Sequence, residues 1–212
     1  MIKIVKAFVL KIKNNSIRKR KNKRELAEWK KNGCPVPPPH IVKQMIIKEY
    51  QKMYNYKILV ETGTYHGEMV EAQKNSFKKI YSIELGDDLY NRALERFKNA
   101  KNVSILHGDS GKILPNVMLK INEPSIFWLD GHYSAGITAK GDKDCPIFEE
   151  LLSIFNTTSF SHILLIDDAR HFIGEGDYPS IKELTEYIKS KNEEYEVDVK
   201  HDVIRFVIPK SH

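Results

Sequence analysis

Six acidic residues stand at or just beyond the ends of apolar runs, where the ends of buried strands meet a ligand. The run Lys57-Ile-Leu-Val-Glu61 opens into Thr-Gly-Thr-Tyr-His-Gly67, Lys79-Ile-Tyr-Ser-Ile ends on Glu84, and Val103-Ser-Ile-Leu-His107 leads into Gly108-Asp109-Ser110. Gly63 and Gly67 permit a tight turn and close approach of a ligand to the backbone. Their Gly-x-x-x-Gly spacing is neither the dinucleotide fingerprint nor a phosphate loop. Glu84 lies 21 residues after Gly63, about where nucleotide-binding folds place a carboxylate on ribose hydroxyls. A carboxylate there also suits the start of a helix at Asp87, but the spacing favours ribose. Asp109 and Ser110 are small and polar where an adenine edge would lie.

A second set of acids ends Ser125-Ile-Phe-Trp-Leu-Asp130 and His162-Ile-Leu-Leu-Ile-Asp167-Asp168. In a parallel sheet these ends open on one edge, so Asp130, Asp167 and Asp168 are expected to converge. Two unit charges about 4 Å apart repel by roughly 4 kcal/mol at an effective dielectric near 20. Such acids therefore need a cation, a shared proton or a geometry that separates them. Hard oxygen ligands without paired Cys or His spacing favour Mg²⁺ over Zn²⁺. The competing reading is structural, with Asp168 capping a helix and Asp167 closing a strand. A nucleotide hydrolase is disfavoured because Gly108-Asp-Ser-Gly-Lys112 is too short for a phosphate loop.

On Glu61-Thr-Gly-Thr-Tyr-His-Gly67 and the ordered strand ends, residues 57 to 170 resemble class I S-adenosylmethionine (SAM)-dependent methyltransferases, notably the metal-dependent catechol, caffeoyl-CoA and macrocin types. The resemblance implies that Glu61, Gly63, Thr64, Tyr65 and Gly67 surround the methionine end of SAM, Glu84 its ribose, and Asp109 with Ser110 its adenine. It also implies a metal on Asp130, Asp167 and Asp168. Methyl transfer needs donor and acceptor aligned and the acceptor deprotonated, and Mg²⁺ would assist the second task as a Lewis acid. Asp130 and His132 are the expected catalytic pair, His132 as general base. His171 is the reserve and His66 reads as ordinary. Catechol-type enzymes carry a lysine three residues after the acid, where this chain has Tyr133, so base and acceptor are open. The polar stretch 131–145, with Lys140 and Lys143, reads either as a substrate lid or as a plain surface loop.

Helical patterns over 39–54, 67–76, 87–99, 110–121, 146–156 and 179–192 separate the strands. The pair Tyr195 to Val199 and Val203 to Ile208 reads as a closing hairpin. Together they predict an α/β fold: a doubly wound, mostly parallel seven-stranded sheet with a C-terminal antiparallel hairpin. A chain of 212 residues that is 41% apolar and 29% charged forms one such domain, placed at 37–212, and leaves no room for a second catalytic one.

Residues 1–36 read as a separate basic segment and proline-rich link. Residues 1–31 carry twelve Lys and Arg against Glu25 and Glu28, a net of +10 that leaves −4 for the remainder. On a helix, Ile2, Val5, Phe8, Val9 and Ile12 share a side flanked by Lys3, Lys6 and Lys13, a pattern suited to an anionic membrane surface. A solvated tail, an oligomer arm and an RNA-docking segment compete with that reading. The start is a poor signal peptide, and Cys34 and Cys145 match no metal or redox spacing. These features point to the cytoplasm, with peripheral attachment to the inner membrane surface. The expected activity is Mg²⁺-assisted O-methylation of a small-molecule or sugar hydroxyl. A nucleic-acid methyltransferase is less favoured, because Leu129-Asp-Gly-His-Tyr133 replaces the Asn/Asp-Pro-Pro-aromatic motif. A non-catalytic SAM- or adenosine-binding module is the other alternative, and an NAD-dependent dehydrogenase a distant one.

Overall fold

A computed structural model describes residues 2–131, 144–157 and 160–210, with side chains from residue 16 onward. Among these residues the chain begins with α1 (Ile2–Lys31) and α2 (His40–Tyr54), and strands and helices then alternate. They are β1 (Ile58–Thr62), α3 (Glu68–Gln73), β2 (Lys79–Glu84), α4 (Asp87–Phe97), β3 (Val103–His107), α5 (Ser110–Met118), β4 (Ile126–Leu129), α6 (Ile147–Thr157) and β5 (Ile163–Ile166). A 3-10 turn over Ala169–His171, α7 (Ile181–Lys191), β6 (Glu196–Lys200) and β7 (Val203–Val207) complete the order.

The strands form one sheet in the order β3-β2-β1-β4-β5-β7-β6. The first five pair in parallel, and β7 inserts antiparallel between β5 and β6. This is the expected fold class. Strand order reverses at β1, so a crevice opens between the carboxyl ends of β1 and β4.

Alternation along the strands builds two cores. Ile58, Val60, Phe127, Leu129, Leu164 and Ile166 face the α5, α6 and α7 side. Leu59, Ile126, Trp128, Ile163 and Leu165 face α2, α3 and α4. Both faces are covered, which is why the strands read as unbroken apolar runs.

The helix predicted over 67–76 is shorter, because Gly67 lies in the left-handed region at its start and Lys74 closes it. Trp29, at the end of α1, is buried in the second core, donates through Nε1 to the Pro35 carbonyl at 2.7 Å and meets the His201 ring edge-on at 4.9 Å. The last turn of α1 thus packs with the domain that follows. Arg18 lies 4.0 Å from Glu71 of α3.

Candidate active site

Strand register decides which acids meet. The β4–β5 pairing Leu129↔Ile166 sets Asp130 beside Asp167 one step further on, and the Asp167 amide donates to the Leu129 carbonyl at 3.0 Å. By the same period of two, Glu61, Asp130 and Asp167 all project to the side covered by α2.

Glu61 is 2% exposed. Its register partner on β2 is Ser82, whose hydroxyl donates to the Glu61 carboxylate, and Thr64 Oγ1 lies 2.6 Å from Ser82 Oγ. Burial pushes the Glu61 pKa up to about 8, with the Ser82 hydrogen bond opposing and the Glu84 charge adding to the rise. Glu84 accepts from the Tyr65 amide at 2.6 Å and from the Gly86 amide at 2.9 Å, so its carboxylate ties the loop after β1 to the start of α4. Each carboxylate oxygen has a second lone pair, which leaves capacity for ribose hydroxyls. Asp109 caps α5 by accepting from the Gly111 amide at 2.9 Å, and Ser110 beside it is buried.

The two loop glycines also have a packing reason to lack a side chain. A Cβ on Gly63, at φ +83°, would lie 2.3 Å from the Asp130 carbonyl oxygen, and one on Gly67, at φ +71°, would lie 2.6 Å from the Phe97 ring. Their bareness lets the loop after β1 pack against the end of β4 and against α4.

Asp130, Asp167 and Asp168 converge as expected, and a cation already stands among them. Lys43, in the first turn of α2, places Nζ 2.5 Å from Asp167 Oδ2 and 3.2 Å from Asp168 Oδ1, with its side chain only 15% exposed. Burial by itself would lower the Lys43 pKa, but the charges of Asp167, Asp130 and Asp168 and the Asp167 hydrogen bond push it up to about 12. Asp167 is fully buried, and burial together with the Asp130 charge holds its pKa well above the carboxylate range. Burial raises Asp130 to about 7, against the pull of Lys43 and a hydrogen bond with Asp167. An ammonium thus stands between acids whose burial disfavours their charged forms. Asp168, in the left-handed region at φ +56°, also accepts from Arg170 Nη1 at 2.9 Å, and Arg170 pairs in turn with Asp202.

The expected Mg²⁺ does not fit this arrangement. Among the described residues no group of three or more His, Cys, Asp or Glu side chains is placed to hold a metal ion. Asp167 spends one oxygen on Lys43 and the other on the Asp168 amide at 2.8 Å. Mg²⁺ needs near-octahedral oxygens at about 2.0–2.1 Å, and an ammonium hydrogen-bonded to the same carboxylates obstructs that shell.

His132, Tyr133, Lys140 and Lys143 lie outside the described residues. His171 is exposed on the same edge, its ring 5.8 Å from Tyr178, and His66 is exposed beside Tyr65. Sequence reasoning missed Lys43, Ser82, Arg170 and Tyr178. The Tyr178 pKa is raised by burial and by the charges of Cys145, Asp168, Asp144 and Asp130. Ser82 alone carried a signal, as a lone hydroxyl inside an apolar strand.

No family model matches the sequence, and no curated protein does. Solved structures do. The O-methyltransferase TomG from Streptomyces achromogenes, involved in tomaymycin synthesis and in complex with SAM, matches at a TM-score of 0.60 and 12% identity over 90% of this chain and 89% of that chain. The methyltransferase PaMTH1 from Podospora anserina, bound to S-adenosylhomocysteine (SAH), matches at 0.57 and 14% over 88% of each chain. An O-methyltransferase from Bacillus cereus in complex with SAH matches at 0.56 and 10% over 88% of this chain and 90% of that one. At these identities the likeness is one of fold, and the chain has the Rossmann-like methyltransferase fold.

Proposed function

We propose that this chain is a SAM-dependent methyltransferase acting on a hydroxyl of a small molecule or a sugar. The observation that carries the reading is the pair of carboxylates beside the β1–β4 crevice, Glu84 accepting from the Tyr65 amide of the loop after β1 and Glu61 from the Ser82 hydroxyl on β2. The fold, and the SAM and SAH bound in neighbours of that fold, support it. SAM supplies an electrophilic methyl on a sulfonium. The residues here do the rest: Glu84 offers lone pairs to ribose hydroxyls, Asp109 and Ser110 line the next strand end, and Glu61 gives a buried negative charge to a cationic ligand. Asp130, half-buried at the end of β4, is placed to accept a proton from an acceptor hydroxyl on the open edge. Mg²⁺ assistance is left out of the reading because Lys43 already engages the acids.

SAM and SAH are expected to bind at micromolar level or tighter by calorimetry. Glu84→Ala should weaken both by about 1–3 kcal/mol, the range for hydrogen bonds to a charged group. Unchanged affinity removes Glu84 from the site. Transfer of a labelled methyl group to a panel of phenols, catechols and sugars then separates an enzyme from a binding module, which would bind SAM without turnover.

The same proposal includes a location. Helix α1 spans Ile2–Lys31, and residues 1–31 hold the chain's basic excess, with Lys19, Arg20, Lys23 and Arg24 exposed. Among the described residues no helix is long and apolar enough to cross a membrane. A basic helix of this kind suits adsorption to anionic lipid, with each Lys or Arg near the surface contributing roughly 1 kcal/mol. Replacing those four residues by Gln spares Trp29 and the domain. The variant should lose most sedimentation with anionic vesicles at low salt, and the parent should lose it at high salt. Equal sedimentation of both, or none of either, rejects the location.

A further inference from the structure

We infer that Lys43 is a built-in cation of this site, standing among Asp130, Asp167 and Asp168 where a divalent metal ion was expected, and that removing its charge opens the Asp130–Asp167 carboxylate pair to Mn²⁺ or Mg²⁺. The sheet brings the acids together through register alone, since Asp130 and Asp167 are neighbours on adjacent parallel strands and Asp168 follows directly. Their counter-charge comes from outside the strands, with Arg170 on one side of Asp168. The cation shared by Asp167 and Asp168 is Lys43, 124 residues from Asp167 in sequence, through a hydrogen bond of 2.5 Å to Asp167 and one of 3.2 Å to Asp168.

The helix that carries Lys43 is not free to withdraw. Val42, Ile46 and Ile47 on either side of it are 5%, 3% and 0% exposed and belong to the core shared with β1, β4 and β5. The Gln44 carbonyl also accepts from Gln73 Nε2 at 2.9 Å, which fixes the first turn of α2 to α3. The ammonium is therefore held among the acids by packed backbone. Three of the four carboxylate oxygens of Asp167 and Asp168 already accept from nitrogen donors: Lys43 Nζ, the Asp168 amide and Arg170 Nη1. A divalent ion entering beside them would meet the ammonium's charge and find those oxygens engaged. Without the ammonium, Asp130 and Asp167 would offer hard oxygen ligands at one point, the donor type that Mn²⁺ and Mg²⁺ select.

That this site is a catalytic one rests on the methyltransferase reading. The built-in cation does not, and the decisive experiment reads it alone. The full chain, its Lys43→Gln variant and its Lys43→Arg variant are stripped with chelator and titrated with Mn²⁺, free metal being followed by electron paramagnetic resonance and stability by thermal unfolding. The parent and Lys43→Arg should bind no Mn²⁺ below millimolar concentration. Lys43→Gln should bind at least tenfold more tightly than the parent, and its melting temperature should rise with Mn²⁺ while that of the parent stays constant. Rescue by arginine separates a need for positive charge from a need for side-chain bulk. Micromolar Mn²⁺ binding by the parent overturns the inference, even if Lys43→Gln fails to fold. A folded Lys43→Gln that gains no affinity also overturns it. If SAM does not bind while the Mn²⁺ pattern holds, the methyltransferase reading falls and the built-in cation stands.

Discussion

Gly63→Ala should destabilise the protein by about 3–5 kcal/mol, the range reserved for strain and clash at constrained positions. The added Cβ would sit 2.3 Å from the Asp130 carbonyl oxygen and 3.1 Å from its carbon. Both are backbone atoms at the end of a central strand, so neither can turn aside as a flexible side chain would. The residue also stands at φ +83°, where a Cβ costs roughly 1–2 kcal/mol by itself. For a chain of this size each kcal/mol lowers the melting temperature by about 2–4 °C, so a fall of about 10 °C is expected. Gly176→Ala is the matched control, at φ +60° with nothing within 4 Å of its Cβ, and should show the conformational cost alone. Equal losses in the two variants would show that contact with Asp130 is not what requires glycine. SAM affinity should fall with Gly63→Ala as well, because the loop that moves carries Thr64 and the Tyr65 amide that binds Glu84.

The second large effect is on pH. Burial holds the Glu61 pKa at about 8 in the free protein, so below that pH the side chain carries a proton. A cationic ligand favours the carboxylate, and its binding must expel that proton. SAM affinity should then rise by up to about tenfold per pH unit between 6 and 8 and flatten above 8, since one unit corresponds to about 1.4 kcal/mol. Calorimetry in buffers of different ionisation enthalpy should find close to one proton released at pH 7. Folding stability responds in the opposite sense. A carboxyl whose folded pKa lies above its unfolded value, here 4.5, binds its proton more tightly when folded. Its contribution is complete below pH 4.5 and is lost as pH rises towards 8. Asp130 and Asp167 share that sign, so the readout is the difference from Glu61→Gln, which should flatten the affinity profile and lessen the stability slope. An affinity profile as steep in the variant as in the parent would place the proton elsewhere.

Much of this was legible in the sequence, for a physical reason. Strands covered on both faces must be apolar throughout, so Ile58–Thr62, Lys79–Glu84 and Ile163–Ile166 stood out together with the acids that end them. Register was not legible, and it alone makes Ser82 the partner of Glu61. Lys43 was hidden more deeply. On a helical pattern a lysine beside buried Val42 reads as a solvated flank, and no local spacing connects it with Asp167. The acids called for a cation, a shared proton or a separating geometry, and their chemistry could not distinguish an external ion from an ammonium delivered by another helix. Trp29 was obscured by the charges around it, although one large aromatic in a basic helix is itself a reason to expect packing.

The position of β7 has a consequence for synthesis on the ribosome. Val203–Val207 fills an interior place in the sheet, pairing with β5 on one side and β6 on the other. The turn before it supplies Asp202, which receives the Arg170 amide at 2.9 Å and the Arg170 guanidinium that also holds Asp168. A nascent chain that has emerged only as far as α7 therefore carries β5 as a raw edge and Arg170 without its anchor. Such pairing between distant segments is slow to form. The acidic edge is completed only once β7 has left the exit tunnel, and until then the exposed strand is the natural target for a chaperone.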